Sequence, residues 1–141
     1  MATYKAFTQE WMDAWRRKVE ESEEYKEFAK DWEGSVGIIC NADPSKNVPK
    51  PVCGFGDYWH GEVREYLACD EAKAQTAKFV MTGDYVRWKQ VAKKELDATK
   101  ALMQGKLKFK GDLTYVVRHV KVVNKVIDLL TELDTVWPDD V

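Results

Sequence analysis

The sequence predicts an α+β fold, with about five mostly antiparallel strands and helices packed on one face. Three observations lead there. Helical apolar spacing marks residues 1–32 and 113–134, at the two ends of the chain. Between them lie β-branched and alternating runs punctuated by Gly, Pro and Asp. The 141 residues are 45% hydrophobic and 33% charged, which is one domain's length and a globular composition, so 1–141 reads as a single domain around one core.

Thr8 is placed to cap the first helix, with Phe7 and Met12 as its hydrophobic staple. Trp11, Met12, Trp15, Val19, Tyr25, Phe28, Ala29 and Trp32 then keep mostly helical spacing. The polar run Glu20–Glu24 is either an exposed turn of one helix or a break between two. Ser35–Ala42, free of charge and rich in β-branched residues, predicts a strand. Asp43–Pro51 holds three of the four prolines and predicts a loop. Val52–His60 and Glu62–Cys69 predict a hairpin joined near Gly61. Gly54 and Gly56 weaken its first strand and suggest a bulge. In its second strand Val63, Leu67 and Cys69 share one parity with Glu65, an imperfect alternation. Ala74–Thr82 predicts a fourth strand, with Phe79 and Met81 on one face. Asp84 then caps a helix over Tyr85–Glu95 with Trp88 inward, and Asp97 caps a short helix to Gln104.

In the stretch Lys100–Val123, Leu107 and Phe109 alternate with Lys106, Lys108 and Lys110, which predicts a strand over Gly105–Lys110. Asp112 caps the next segment, either one helix from Leu113 to Leu133 or two nearly continuous ones. One apolar stripe runs Leu113, Val116, Val120, Val123, Ile127, Leu130, and a second runs Val122, Val126, Leu129, Leu133. A surface helix has one such stripe; two demand cover on both sides, from core, ligand or a second copy of the chain.

Signals for catalysis are missing from the sequence. His60 and His119 lack metal-ligand spacing, and Cys40, Cys53 and Cys69 lack CxxC spacing, so the thiols read as free and mostly buried. Gly105–Gly111 lacks the order of a phosphate loop, Gly54 and Gly56 give only GxG, and GxSxG is absent. These features predict neither an enzyme nor a metal or cofactor site. Aromatic and basic residues interleave at Tyr85–Lys89, but the net charge of −2 and helical spacing place Trp88 in the core and speak against nucleic acid. Residues 87–125 nevertheless hold 11 Lys and Arg against 3 acids, while the rest holds 11 against 21. That basic region reads as a solvated strand face or as a transient contact with anionic lipid headgroups. No apolar run is long enough to span a bilayer, and the amino terminus lacks an apolar signal core, so a cytoplasmic location is expected.

GDYVRWKQV at Gly83–Val91, followed by KALMQGKLKFKGDLTYVVRHVKVV at Lys100–Val123, resembles the C-terminal signature of the sterol carrier protein type 2 (sterol-transfer) family. The likeness covers roughly 79–130, is compatible over 28–78, and has no specific match in the first helix. It implies a hydrophobic tunnel between sheet and helices that binds and transfers fatty acid, fatty acyl-CoA or sterol-like lipids without covalent chemistry. It further implies that Phe79, Met81, Trp88, Met103, Leu107, Phe109, Val116, Val120, Val123 and Ile127 face that tunnel. The ending Trp-Pro-Asp-Asp-Val departs from the peroxisomal tripeptide of many members. Two rival readings stand beside the carrier. One is an accessory protein presenting a lipophilic, quinone-like intermediate to partner enzymes. The other is a homodimer built on Val122, Val126, Leu129 and Leu133 with no ligand.

Overall fold

The computed structural model describes residues 2–140. A two-residue strand β1 (Tyr4–Lys5) leads to helices α1 (Gln9–Glu21) and α2 (Glu23–Phe28), then to strands β2 (Glu33–Asn41), β3 (Val52–Trp59) and β4 (Glu62–Cys69). A short helix α3 (Glu71–Ala74) precedes β5 (Phe79–Asp84), α4 (Tyr85–Ala92), α5 (Ala98–Met103) and β6 (Lys108–Lys110). Helices α6 (Leu113–Arg118) and α7 (Val120–Thr131) and strand β7 (Thr135–Val136) complete the order, with 3-10 turns at Pro44–Lys46 and Pro138–Asp140. The main sheet has the order β4-β3-β2-β5-β6 and is antiparallel except where β2 lies beside β5. This is the α+β architecture that the sequence predicts.

Side-chain caps set the helix boundaries. Thr8 accepts from the Trp11 N–H, Asp97 from that of Lys100 and Asp112 from that of Tyr115. Ser22 resolves the polar run after Val19: it ends α1 and accepts from the Tyr25 N–H to begin α2. Each such cap satisfies a backbone donor that the first helical turn leaves free. Asp84 departs from the pattern, because its carboxylate accepts from the Asn41 amide at 3.1 Å and makes no cap bond.

Two predicted strands are shorter than expected. The fourth begins at Phe79 rather than Ala74, because Asp70 caps a helical turn by accepting from the Lys73 N–H at 2.9 Å. The fifth keeps only Lys108–Lys110, because Gly105, at φ +75°, closes α5. There the Lys106 N–H returns to the Ala101 carbonyl at 2.8 Å, a bond that needs a left-handed residue between them. The uneven parity of β4 is a bulge: Asp57 faces Glu65 while Tyr58 faces Val63, which leaves Arg64 as the extra residue.

Helix α1 crosses β4 and covers its open edge. The Gln9 amide donates to the Tyr66 carbonyl and accepts from the Ala68 N–H, both at 2.9 Å, and Arg16 donates to the Val63 carbonyl at 2.9 Å. These bonds occupy backbone groups that an edge strand otherwise exposes. Helix α7 packs against α1, α2, α4 and α5 on the same face of the sheet. The opposite face carries a smaller cluster of Ile39, Cys53, Phe55, Ala74, Ala77 and Val80 beneath α3. Strands β1 and β7, which residue patterning does not predict, pair in parallel and join the two ends of the chain.

Contact between α3 and the sheet depends on Gly37, where a Cβ would lie 2.2 Å from the Ala74 carbonyl oxygen. Overpacking of this kind costs about 1–3 kcal/mol. Gly37→Ala is therefore expected to lower Tm by roughly 3–10 °C, measured calorimetrically. An unchanged Tm would show that α3 does not rest on this strand.

Candidate functional site

Strand periodicity turns Val36 and Ile38 of β2, Gly54 and Gly56 of β3 and Met81 of β5 toward the helices. In register, Val36 faces Gly56, and Ile38 lies between Gly54 and Met81. The two glycines present no side chain to the layer above. From that layer α1 contributes Trp11, Met12 and Trp15, and α7 contributes Val122, Val123, Val126, Ile127 and Leu130. Trp88, Val91 and Ala98 close one flank, and Phe7, Trp32 and Trp137 complete a cavity of about 90 Å³.

The lining is apolar because four of its five indoles spend their N–H groups elsewhere. Trp15 donates to the Val126 carbonyl, Trp88 to that of Ile39 and Trp32 to that of Gly34, each at 2.9 Å, and Trp11 donates to the Thr135 hydroxyl at 3.1 Å. What remains toward the cavity is ring surface. Among the described residues no Asp, Glu, Lys, Arg, His or Cys lines it. Tyr58 and Tyr66 do, and the Tyr58 hydroxyl donates to that of Tyr66 at 2.6 Å. Burial pushes both phenols well above their usual range.

The groups with catalytic potential lie elsewhere. His60, at the hairpin, pairs with Glu33 at 2.6 Å, and His119 Nδ1 is 2.8 Å from the Tyr115 carbonyl oxygen. Burial pushes the Cys40 and Cys53 thiols up to about 12, so neither is a thiolate near neutral pH. Among the described residues there is no cluster of three or more potential metal ligands. Nor is any helix among them long and apolar enough to cross a membrane.

An apolar cavity between a five-stranded sheet and a C-terminal helix calls for comparison with known proteins. The family model of the SCP-2 sterol transfer family matches residues 13–124. The chain belongs to the SCP-2 sterol transfer family. A crystal structure of sterol carrier protein 2 is 31% identical, with TM-score 0.81 over 92% of this chain and 99% of that one. The solution structure of the conserved hypothetical protein TT1886 from Thermus thermophilus is 30% identical, with TM-score 0.83 over 96% of this chain and 94% of that one. The UbiJ-SCP2 ubiquinone synthesis protein shares the fold, with 12% identity and TM-score 0.50 over 84% of this chain and 90% of that one. No curated protein sequence matches the chain.

Within this SCP-2 fold the ten residues expected to face a tunnel separate into three groups. Met81, Trp88, Val123 and Ile127 line the cavity. Phe79, Leu107 and Val116 are fully buried but outside the lining, and Phe109 is half-buried beside them. Phe79 packs among Trp32, Tyr115 and Phe109 at ring separations of 5.4, 5.4 and 6.1 Å, so it fills core at the β5–β6 end of the sheet. Leu107 fills the space over Gly83, where a Cβ would meet its Cδ2 at 2.3 Å.

Met103 and Val120 are corrected by the structure. Met103 is 66% exposed, because α5 turns Ala98, Ala101 and Leu102 inward and leaves Met103, its last residue, on the outer side. Val120 is half-buried outside the lining, because the helix breaks at His119 (φ −107°, ψ 34°) and the helical phase restarts there. The stripe from Val116 to Ile127 assumes one unbroken helix. In its place α7 faces the cavity with Val122, Val123, Val126, Ile127 and Leu130, which merges both stripes. The lining residues absent from the sequence-based expectation include Val36 and Ile38 of β2, Val122, Val126 and Leu130 of α7, and those of α1 and the β3–β4 hairpin, above all Trp11, Trp15, Tyr58 and Tyr66. The i, i+4 spacing of Trp11 and Trp15 and the alternation Gly54, Gly56, Tyr58 are the signals that carry them.

An open pocket of about 310 Å³, lined in part by Lys93, Thr131, Asp134 and Thr135, adjoins the cavity, and Ala92, Leu130 and Trp137 border both. Trp137 is held in place by the acidic turn C-terminal to it. Lys89 bridges Asp139 at 2.8 Å and Asp140 at 2.9 Å, and the Tyr85 hydroxyl donates to Asp139. Hydrogen bonds from Lys89, then Tyr85, lower the Asp139 carboxyl from 3.8 to about 2. A carboxyl lowered on folding adds stability that is complete above its unfolded value and lost as pH falls through the folded one. Asp139→Asn should therefore lower Tm most near neutrality, with the deficit shrinking between about pH 4 and 2. A deficit that is constant over that range in thermal scans would show that the clamp is not ionic.

Proposed function

We propose that the protein binds lipids in this cavity and transfers them, with no covalent chemistry at the site. The carrying observation is the lining itself: ring faces, aliphatic side chains and two glycines, with no charged side chain. Membership of the SCP-2 family and the 31% identity to sterol carrier protein 2 support the same reading. Burying about ten methylenes at roughly 0.8 kcal/mol each provides roughly 8 kcal/mol before costs. Ordering and association reduce this to low-micromolar affinity or weaker.

The cavity of about 90 Å³ equals several waters and is short of a full acyl chain. Loading therefore requires α7 and the Trp137 segment to move outward from the sheet. The dimer reading loses its support: Val122 and Val126 line the cavity, Leu129 is buried, and Leu133 packs on the core. Presentation of a lipophilic intermediate to partner enzymes uses the same cavity and differs in having a protein recipient. For delivery to a membrane, Met103 stands exposed, and Lys100, Lys106, Lys108 and Lys110 lie near it in the chain. An apolar tip among lysines suits an anionic lipid surface, at about 1 kcal/mol per Lys.

Native mass spectrometry followed by organic extraction tests the carrier directly. The expected result is an added mass of a few hundred daltons that extracts as lipid; a ligand-free protein that also fails to bind an uncharged apolar dye would remove the proposal. Ala98→Leu adds three carbons to the lining and should weaken binding of Nile red several-fold while the fold, read by circular dichroism, persists. Met103→Ala, outside the cavity, should leave that affinity unchanged and reduce co-sedimentation with phosphatidylserine vesicles. Equal dye affinity for Ala98→Leu and the parent would place the binding site elsewhere.

A further inference from the structure

Besides the Trp137 indole, the polar side chains of the lining among the described residues are the hydroxyl pair of Tyr58 and Tyr66 and the four tethered indoles. A hydroxyl has one donor and two acceptor sites. The bond from Tyr58 to Tyr66, at 2.6 Å, uses one donor, and among the described residues no acceptor receives the Tyr66 proton. Tyr25 is fully buried with its ring 6.4 Å from that of Tyr58, and among the described residues its hydroxyl has no hydrogen-bond partner. Buried hydroxyls are satisfied in most folded proteins, so a cluster in which two of three hydroxyl protons meet no acceptor is an exception that needs a cause.

Room for the pair comes from Gly56, which lies opposite Tyr66 in register. A Cβ there would sit 2.9 Å from the Tyr58 hydroxyl oxygen and 2.9 Å from Tyr66 Cε1. The glycine thus lets two phenols meet at the cavity floor, where an alanine would force them apart. Burial also keeps the phenols protonated, so the cluster offers O–H donors and not phenolates.

We propose that the cavity selects a neutral lipid bearing a single hydroxyl or carbonyl oxygen, and that Tyr66, supported by Tyr58, hydrogen-bonds that oxygen. This inference rests on the reading of the cavity as a lipid site and names the class of lipid. Such an oxygen accepts the unused Tyr66 proton and brings the cluster toward full hydrogen bonding. A carboxylate is disfavoured at the same place, because among the described residues no Lys, Arg or His lines the cavity and an unpaired buried anion is driven back to its neutral acid. A plain alkane fills the volume but leaves the donor unmet.

The test is displacement of Nile red at pH 8 by three ligands of one chain length, 1-dodecanol, dodecanoate and dodecane. Dodecanol should compete at least tenfold more tightly than either of the others. Tyr66→Phe should erase its advantage over dodecane while leaving dodecane within about twofold of its parent affinity. If circular dichroism shows Tyr66→Phe unfolded, Tyr58→Phe serves, with a partial loss of the same preference expected. Equal binding of dodecanol and dodecane by the parent would overturn the proposal, as would dodecanoate binding as tightly as dodecanol. Either result leaves a lipid site in place, whereas a protein that binds neither dye nor extractable lipid removes the lipid reading itself and this proposal with it.

Discussion

Two successive inward positions of β3, Gly54 and Gly56, offer no side chain, and the inner layer of the protein is arranged around the space they leave. Sheet–helix interfaces normally close to the density of organic crystals. Here Ile38 of β2 and Met12 of α1 come to 3.1 and 3.2 Å from where a Gly54 Cβ would lie, and Tyr58 and Tyr66 each come to 2.9 Å from that of Gly56. Four indoles that could swing into the gap are tethered by their N–H groups to fixed backbone or hydroxyl acceptors. The glycines let those neighbouring side chains settle onto the sheet, and the tethered indoles leave the remaining void unfilled from above.

An unfilled cavity is a cost to the free protein. At about 24 cal/mol per Å³, the 90 Å³ here corresponds to roughly 2 kcal/mol. A domain of this size has about 5–15 kcal/mol in total, so the defect is tolerable only because other parts of the fold are well made. The capped helices, the edge of β4 sealed by Gln9 and Arg16, and the closure of α5 at Gly105 are such parts. Local rules are broken at the cavity and obeyed around it, a pattern expected where a fold holds a site. Filling the cavity restores the packing that the void withholds.

Much of this was legible in residue order. Alternation gave the hairpin and the edge strand, Thr8, Asp97 and Asp112 announced their helices, and Gly83–Val91 with Lys100–Val123 carried the family. The cavity wall was legible only in part, for identifiable reasons. A stripe such as Val116, Val120, Val123, Ile127 has meaning only while the helix is unbroken, and the change of phase at His119 depends on tertiary packing. Gly54 and Gly56 have the same letters whether they kink a strand or hollow a floor; the register with Val36 and Ile38 decides, and register is a long-range property. Tyr58 and Tyr66 come onto one face through the bulge at Arg64, which strict alternation hides.

The parallel pairing of Tyr4–Lys5 with Thr135–Val136 has a consequence for the order of events in folding. It joins segments separated by nearly the whole chain, and the entropic cost of closing a loop rises with its length. Both strands are only two residues long, so little is gained until the sheet and helices already hold their ends near each other. This ladder is thus among the last contacts to form and the first to be lost by local fluctuation. Phe7 and Trp137, which line the cavity, lie just beyond its two strands in the chain. The rim of the cavity is in this way coupled to the least persistent ladder of the molecule, so it can loosen while the five-stranded sheet stays whole.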